Sequence, residues 1–223
     1  MSTPNWDRLW RSSGIQFAVF FVIACGIYGH LPGVSASGDT LVGFYTGDRT
    51  RILIAAALLG LNVLNLMWFA AALRNTLSDA GKDGWGAAAT ASSAAFGALF
   101  LLLIAIGAGL AYSIAGSGNP ALASGLNALG WALLVLSSFP RAMLSMSAAF
   151  GLWRAGLISN ALFAVGVVVV VLGVLGGTTW LSGGVWAPDG AYTRFVSPIV
   201  GLVWVLIVSR VLLSRSPATR AGW

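Results

Sequence analysis

The stretch SSFPRAMLS, residues 137–145, puts Pro140 and Arg141 inside a long apolar run. Arginine carries a planar set of N–H donors and stays charged, so in apolar surroundings it attracts carboxylate, phosphate or carbonyl oxygen. Proline has no N–H and clashes with the preceding turn, so a membrane helix here is expected to break or kink at Pro140. The carbonyl of Leu136 then loses its usual donor, and Ser137 and Ser138 can help satisfy that disturbed region. Candidate partners for Arg141 at similar depth are neutral amides, Asn62 and Asn65, three apart on one helix face. No acid is expected at that depth. Two roles stay open for Arg141. It either points into an outward-facing polar pocket that takes an anionic or carbonyl-bearing ligand, or it is structural, tied to broken-helix carbonyls or snorkelling to outer headgroups.

Most other reactive side chains gather toward one side of the chain's topology. Tyr28, Tyr45, Tyr112 and Tyr192 fall at outer helix ends or outer loops, as do His30, Asp39, Asp48, Arg49, Arg51, Asp189 and Arg194. The candidate ligand-binding set is therefore Arg141, Asn62, Asn65, Tyr112, Asp48 and Arg51. Asp48 is also placed to cap the helix that follows, where a carboxylate accepts free backbone N–H groups. Arg49 and Arg51 also suit lipid headgroups. The single Cys25 excludes an internal disulfide, a CxxC redox pair and a cysteine zinc site. His30 is alone, which excludes bis-histidine haem ligation, and no phosphate-binding GxxxxGK[ST] loop or Ser-His-Asp pattern occurs. No metal or cofactor is expected, and no catalytic residue is identified. The alternative is a membrane-embedded enzyme acting on a lipid or isoprenoid with an outer Asp as acid. That chemistry needs a carboxylate desolvated in an apolar, aromatic-lined pocket.

These groups must be positioned by helices in lipid. The chain is 58% hydrophobic and 8% charged over 223 residues. A soluble domain carries about 25% charged residues, so water is not this protein's main solvent. Twelve Lys+Arg against six Asp+Glu give a net charge of +6, but the cations are scattered beside apolar runs, and no nucleic-acid surface is expected. Six runs are long enough, or nearly so, to span a bilayer: residues 14–31, 52–73, 86–112, 121–153, 157–177 and 195–213. Each is continuously apolar, which predicts helices and not a barrel. Val167 to Val171 favours a strand by propensity, but a lone strand in lipid leaves its backbone unpaired, so helix is expected there too. The fourth run, 33 residues from Ala121 to Trp153, would measure about 50 Å against a hydrocarbon core of about 30 Å. Thirteen residues separate Arg141 from Arg154, which puts Arg141 about 20 Å above the inner boundary.

The expected fold is therefore all-α, an integral membrane bundle of six transmembrane helices with the fourth broken or kinked at Pro140. Residues 1–13 form an inner interfacial segment, 14–214 a single transmembrane domain and 215–223 a cytoplasmic tail. The first run is read as a retained helix, although Val34 to Ala36 resembles a leader-cleavage site. Arg8, Arg11, Arg74, Lys82, Arg154, Arg210, Arg215 and Arg220 lie on one side; Arg49, Arg51 and Arg194 lie on the other. Eight against three puts both termini in the cytoplasm, with six spans. Trp6, Trp10, Trp85 and Trp153 mark the inner interface, and Trp180 and Trp186 the outer one. Residues 4–12 are expected to form a helix on the inner leaflet, with Trp6, Leu9 and Trp10 on one face. Leu41, Phe44 and Tyr45 predict a short outer helix. GAAATASSAAFGA (86–98) and the Gly173/Gly177 pair are small-residue faces for close helix packing, within the chain or between copies as a homo-oligomer.

Two segments resemble a broad actinobacterial family of six-helix integral membrane proteins that carries no assigned activity: FYTGDRTRILIAAALLGLNVLNLMWFAAALRNTL (44–77) and SSFPRAMLSMSAAFGLWRAG (137–156). The resemblance implies a helical inner-membrane protein and assigns no residue a role. The partners expected are the bilayer and a lipophilic or anionic small molecule. A binding, transport-associated or accessory role is favoured over catalysis.

Overall fold

A computed structural model describes residues 4–181 and 183–214, with side chains from Arg8 onward. The helices are α1 Pro4–Arg11, α2 Ser13–Tyr28, α3 Gly38–Gly47, α4 Arg49–Asp79, α5 Asp83–Gly109, α6 Pro120–Leu136, α7 Ser138–Arg154, α8 Asn160–Gly176 and α9 Ser197–Ser214. No strand occurs among the described residues. The valine-rich run 167–171 lies within α8 as helix. Among the described residues, four helical stretches are long and apolar enough to cross a membrane: Arg49–Asp79, Asp83–Ser117, Pro120–Arg154 and Tyr192–Ser214. Helices α2 and α8 are apolar but shorter, at 16 and 17 residues. At 1.5 Å per residue they measure about 24–26 Å.

The bend in the fourth apolar run falls at Ser137, not at Pro140. The reason is steric. Proline clashes with the carbonyl four residues earlier, here Leu136, the last residue of α6. Pro140 itself sits in the first turn of α7, where a missing N–H removes no intrahelical bond. The chain stays nearly continuous across the bend. Ser137 N–H donates to Leu133 O at 2.9 Å, and Arg141 N–H donates to Ser137 O at 3.2 Å. The hydroxyl of Ser137 donates to Leu134 O at 2.6 Å.

Helix α4 packs between α2 and α5, α7 packs between α5 and α8, and α9 closes the bundle against α2, α7 and α8. The main core includes Phe17, Leu66, Phe69, Phe96, Leu152 and Trp204. A smaller cluster at one end joins Leu41 and Tyr45 of α3 to Ile52, Leu110 and Ala123. Helix α3 forms where the Leu41/Phe44/Tyr45 spacing predicts it, and the Ser37 hydroxyl caps it by accepting from Thr40 N–H at 3.2 Å. Burial pushes the Tyr45 phenol above its ordinary value.

The small residues bring helices into contact within the chain. A Cβ at Gly173 would lie 2.9 Å from Ala142 Cβ, and one at Gly177 would lie 2.4 Å from the Phe139 ring. In 86–98, Gly86, Ala89, Ser92, Ser93, Phe96 and Gly97 form the buried face of α5. The Gly173/Gly177 face and this face of α5 are therefore occupied by α7 and α4 of the same chain.

Helix α1 exists as expected but is docked on the bundle. It touches α2, α4 and α9, and Trp10 packs against the main core. The buried Arg11 guanidinium lies 5.9 Å from the Trp10 ring centre and donates to Leu212 O at 3.5 Å. Leu9 stays 45% exposed. The Trp6 side chain and the tail at 215–223 lie outside the described residues.

Candidate functional site

Arg141 opens the second turn of α7 and turns toward α9. Its Nη2 donates to the Ser138 hydroxyl, three residues back on the same helix, at 3.0 Å. The same nitrogen donates to the Ser197 hydroxyl at the start of α9. Among the described residues no carboxylate pairs with Arg141, and neither Nη1 nor Nε makes a hydrogen bond. The two serines fix the guanidinium without neutralising it.

Two sequence features border the guanidinium. Ser197, Gly201 and Trp204 recur at i, i+4 and i+7, so they share one face of α9. Gly201 faces the arginine stem, where a Cβ would sit in ordinary contact at 3.5 Å from Arg141 Cδ. On α8, a Cβ at Gly176 would lie 3.0 Å from both the Ser138 and Ser197 hydroxyls.

Arg141 stands at the wall of a cleft of about 40 Å³ where α2, α4, α5, α7 and α9 converge. The rest of the wall is apolar and aromatic, with Phe17, Phe21, Phe69, Phe96 and Trp204 prominent, and Ser145 the remaining hydroxyl. Ser145 donates to Arg141 O at 3.1 Å, so that hydroxyl proton is already engaged. A narrower space of about 10 Å³ lies on the α8 side of Arg141, bounded by Val169, Leu172 and Gly173. A permanent cation with free N–H groups beside aromatic walls can hold an anion or a carbonyl oxygen.

The other candidates lie elsewhere. Asn62 is fully buried, but its amide donates to Phe17 O on α2 at 3.0 Å, and Asn65 donates to Asn62 Oδ1 at 3.5 Å. Neither lines the Arg141 cleft. The expectation that these amides partner Arg141 gives way to Ser138 and Ser197. Depth alone misled, because α4 turns this face toward α2. Asp48 makes no side-chain cap to α4. It pairs instead with Arg51 at 2.6 Å, with both side chains about 40% exposed. Tyr112, 66% exposed, lies under the Arg49 guanidinium at 5.3 Å. The six sequence candidates thus fall into four places: Asp48 with Arg51, Tyr112 beside Arg49, Asn62 with Asn65, and Arg141 by itself.

A second polar assembly, not anticipated from sequence, holds the loop after α2. Arg194 Nη1 donates to Leu31 O at 2.8 Å, Trp131 Nε1 to Pro32 O at 3.1 Å, and Asn127 Nδ2 to Gly33 O at 2.9 Å. Val34 N–H donates to Asp189 Oδ2 at 3.0 Å. Arg194 also lies 4.9 Å from the Trp131 ring centre and donates to Asp189 O at 2.6 Å. Four consecutive residues are thus gripped by α6 and by the turn before α9. Arg194 belongs to a π-helical turn, Tyr192–Val196, that runs directly into Ser197. A second π turn, Leu110–Ile114, ends α5 and carries Tyr112. Such turns recur at functional sites.

Asp39, Asp48 and Asp189 are the candidate acids of the alternative reading. Asp39 is exposed in the first turn of α3, Asp48 is held by Arg51, and Asp189 accepts from the Val34 amide. Among the described residues no group of His, Cys, Asp or Glu could hold a metal ion. Comparison with known proteins finds no matching family model, no similar curated protein and no similar solved structure.

Proposed function

We propose that the chain is a six-span inner-membrane protein that binds, or helps to move, a lipophilic or anionic small molecule at Arg141. One observation carries this reading: a guanidinium fixed by two neutral hydroxyls, with free N–H groups, in the wall of an aromatic cleft. An arginine at the centre of a membrane helix costs at least about 2.5–3.5 kcal/mol, so it is retained for a use. Helices α2 and α8 complete the six spans. Their 24–26 Å falls a few Å short of a core about 30 Å thick, a mismatch that local thinning absorbs at modest cost.

The topology half is tested by thiol labelling on a Cys25→Ala background, because Cys25 is exposed. Ser35, in the loop after α2, and Asp79, the last residue of α4, are exposed at opposite ends of the bundle. Ser35→Cys is expected to react with an impermeant reagent added to intact cells, and Asp79→Cys only after lysis. Reaction of Asp79→Cys in intact cells overturns the orientation.

The binding half is tested by thermal unfolding of the wild type in detergent with amphiphiles that differ in headgroup charge. A ligand at 100 times its Kd stabilises a protein by about 2.7 kcal/mol. A saturable rise in Tm with anionic amphiphiles, absent with uncharged analogues of equal chain length, is expected. A panel in which headgroup charge makes no difference sinks the Arg141 reading.

A further inference from the structure

Trp204 is 2% exposed and forms part of the cleft wall that Arg141 enters. Its Nε1–H is buried and has no acceptor among the described residues. Such an orphan donor is uncommon, because a buried N–H without a partner loses its hydration for nothing. It lies on the same α9 face as Ser197, two turns along. The cleft therefore has two sources of unused donors, the Arg141 guanidinium and the Trp204 indole. The wall holds no carboxylate, and the Ser145 proton is spent on Arg141 O.

We infer that the cleft holds the acid group of a single-chain lipophilic carboxylate between the Arg141 guanidinium and the Trp204 indole N–H. This rests on the reading that Arg141 binds a ligand. Three features select the class. Arg141 is the one charged side chain in the cleft wall, so one negative charge balances it. The interior, about 40 Å³, takes about three waters at 10–15 Å³ each, which suits a carboxylate and is too small for a diphosphate. The remaining wall is hydrocarbon, and Phe21, Leu202 and Val205 are only half-buried, so they offer an apolar path along which a chain can leave the cleft. An inorganic anion would leave that path unused.

The geometry of the guanidinium agrees. Nη2 is engaged by two serine oxygens, so each two-pronged edge of the group is already partly occupied. A carboxylate can place one oxygen on the free Arg141 N–H groups and the other on the indole N–H. Trp204 is then a specificity-determining residue.

The test uses the full chain in detergent with oleate, oleyl phosphate, oleyl alcohol, farnesyl diphosphate and sodium nitrate as probes. Oleate is expected to raise the Tm most, with little effect from oleyl alcohol, farnesyl diphosphate or nitrate. Trp204→Phe keeps an aromatic ring and removes the N–H. It is expected to weaken oleate binding about tenfold or more, the loss of one hydrogen bond to a charged group, and to lower the ligand-free Tm because the lost ring atoms leave a void against Gly166, so binding is read as the rise over each variant's own ligand-free Tm. Oleate binding that is equally tight in Trp204→Phe overturns the inference while the Arg141 reading stands. Preference for farnesyl diphosphate or nitrate in the wild type does the same, and needs no variant to fold. If no anion in the panel stabilises the protein, this inference and the Arg141 reading fall together.

Discussion

Arg141→Met is expected to abolish stabilisation by anionic amphiphiles while leaving the ligand-free bundle folded, at a Tm close to that of the wild type. The argument compares what the arginine gains with what it costs. Its gains are two hydrogen bonds from one nitrogen to neutral hydroxyls. A net bond of this kind to a charged group is worth about 1.5–3 kcal/mol. Against them stands the transfer of a guanidinium into the apolar cleft, at least about 2.5–3.5 kcal/mol even on insertion scales that allow snorkelling. Met fills similar length with apolar atoms. Ser138 and Ser197 lose a donor but stay neutral, so no orphan charge is created, unlike the breaking of one half of a buried ion pair. Two such bonds, about 3–6 kcal/mol together, roughly balance that cost, so removal is near neutral for the fold.

Arg141→Lys separates charge from geometry in the same measurement. Lysine keeps the positive charge but concentrates it on one nitrogen. Three N–H groups on that nitrogen must serve Ser138, Ser197 and a ligand from a single point. Binding weaker than wild type but stronger than Arg141→Met is expected. If Arg141→Met unfolds the protein and no anion stabilises the wild type, the guanidinium is a structural tie between α7 and α9.

Arg141 was legible in the sequence because residue type and depth sufficed: an arginine 13 residues from the next cation must lie deep in a helix. Ser138 was legible as a neighbour, being three residues back on the same helix. Ser197 was not, because it is 56 residues away and depth along a helix says nothing about which face meets which neighbour. Asn62 shows the same limit from the other side. Its depth matches Arg141, yet its face turns to Phe17. The spacing of Ser197, Gly201 and Trp204 marks one face of α9, but no local pattern says that the face meets α7. The bend at Ser137 follows from proline chemistry once the clash is assigned to residue i−4. The two π turns carry no local signature, and the clasp on residues 31–34 joins residues 94 to 163 positions apart.

Gly166→Leu is expected to be strongly destabilising, and it tests the packing that holds α7 and α9 in register for the site. A Cβ at Gly166 of α8 would lie 2.6 Å from Ala149 Cβ on α7 and 2.7 Å from the Trp204 ring on α9. Real Cβ atoms do not approach so closely. Neither neighbour can yield cheaply. Ala149 has no rotamer to change and is fully buried, and the Trp204 ring is held in the main core beside Val208 and Phe96. The backbones of α7, α8 and α9 must separate instead. Overpacking of this kind costs about 1–3 kcal/mol and sometimes more. In a membrane bundle the loss is not recovered by hydrophobic association, since lipid solvates the parted helices as well as protein does. Leu adds three further carbons beyond that Cβ, so the upper end of the range is expected, with a clear fall in Tm in detergent. Because the displaced ring is Trp204, oleate binding should fall with it. Gly60→Leu is the control: no atom lies within 4 Å of a Cβ there, on α4, and the Tm should change little. Equal Tm values for the two variants would mean that α8 does not pack against α7 and α9 through Gly166.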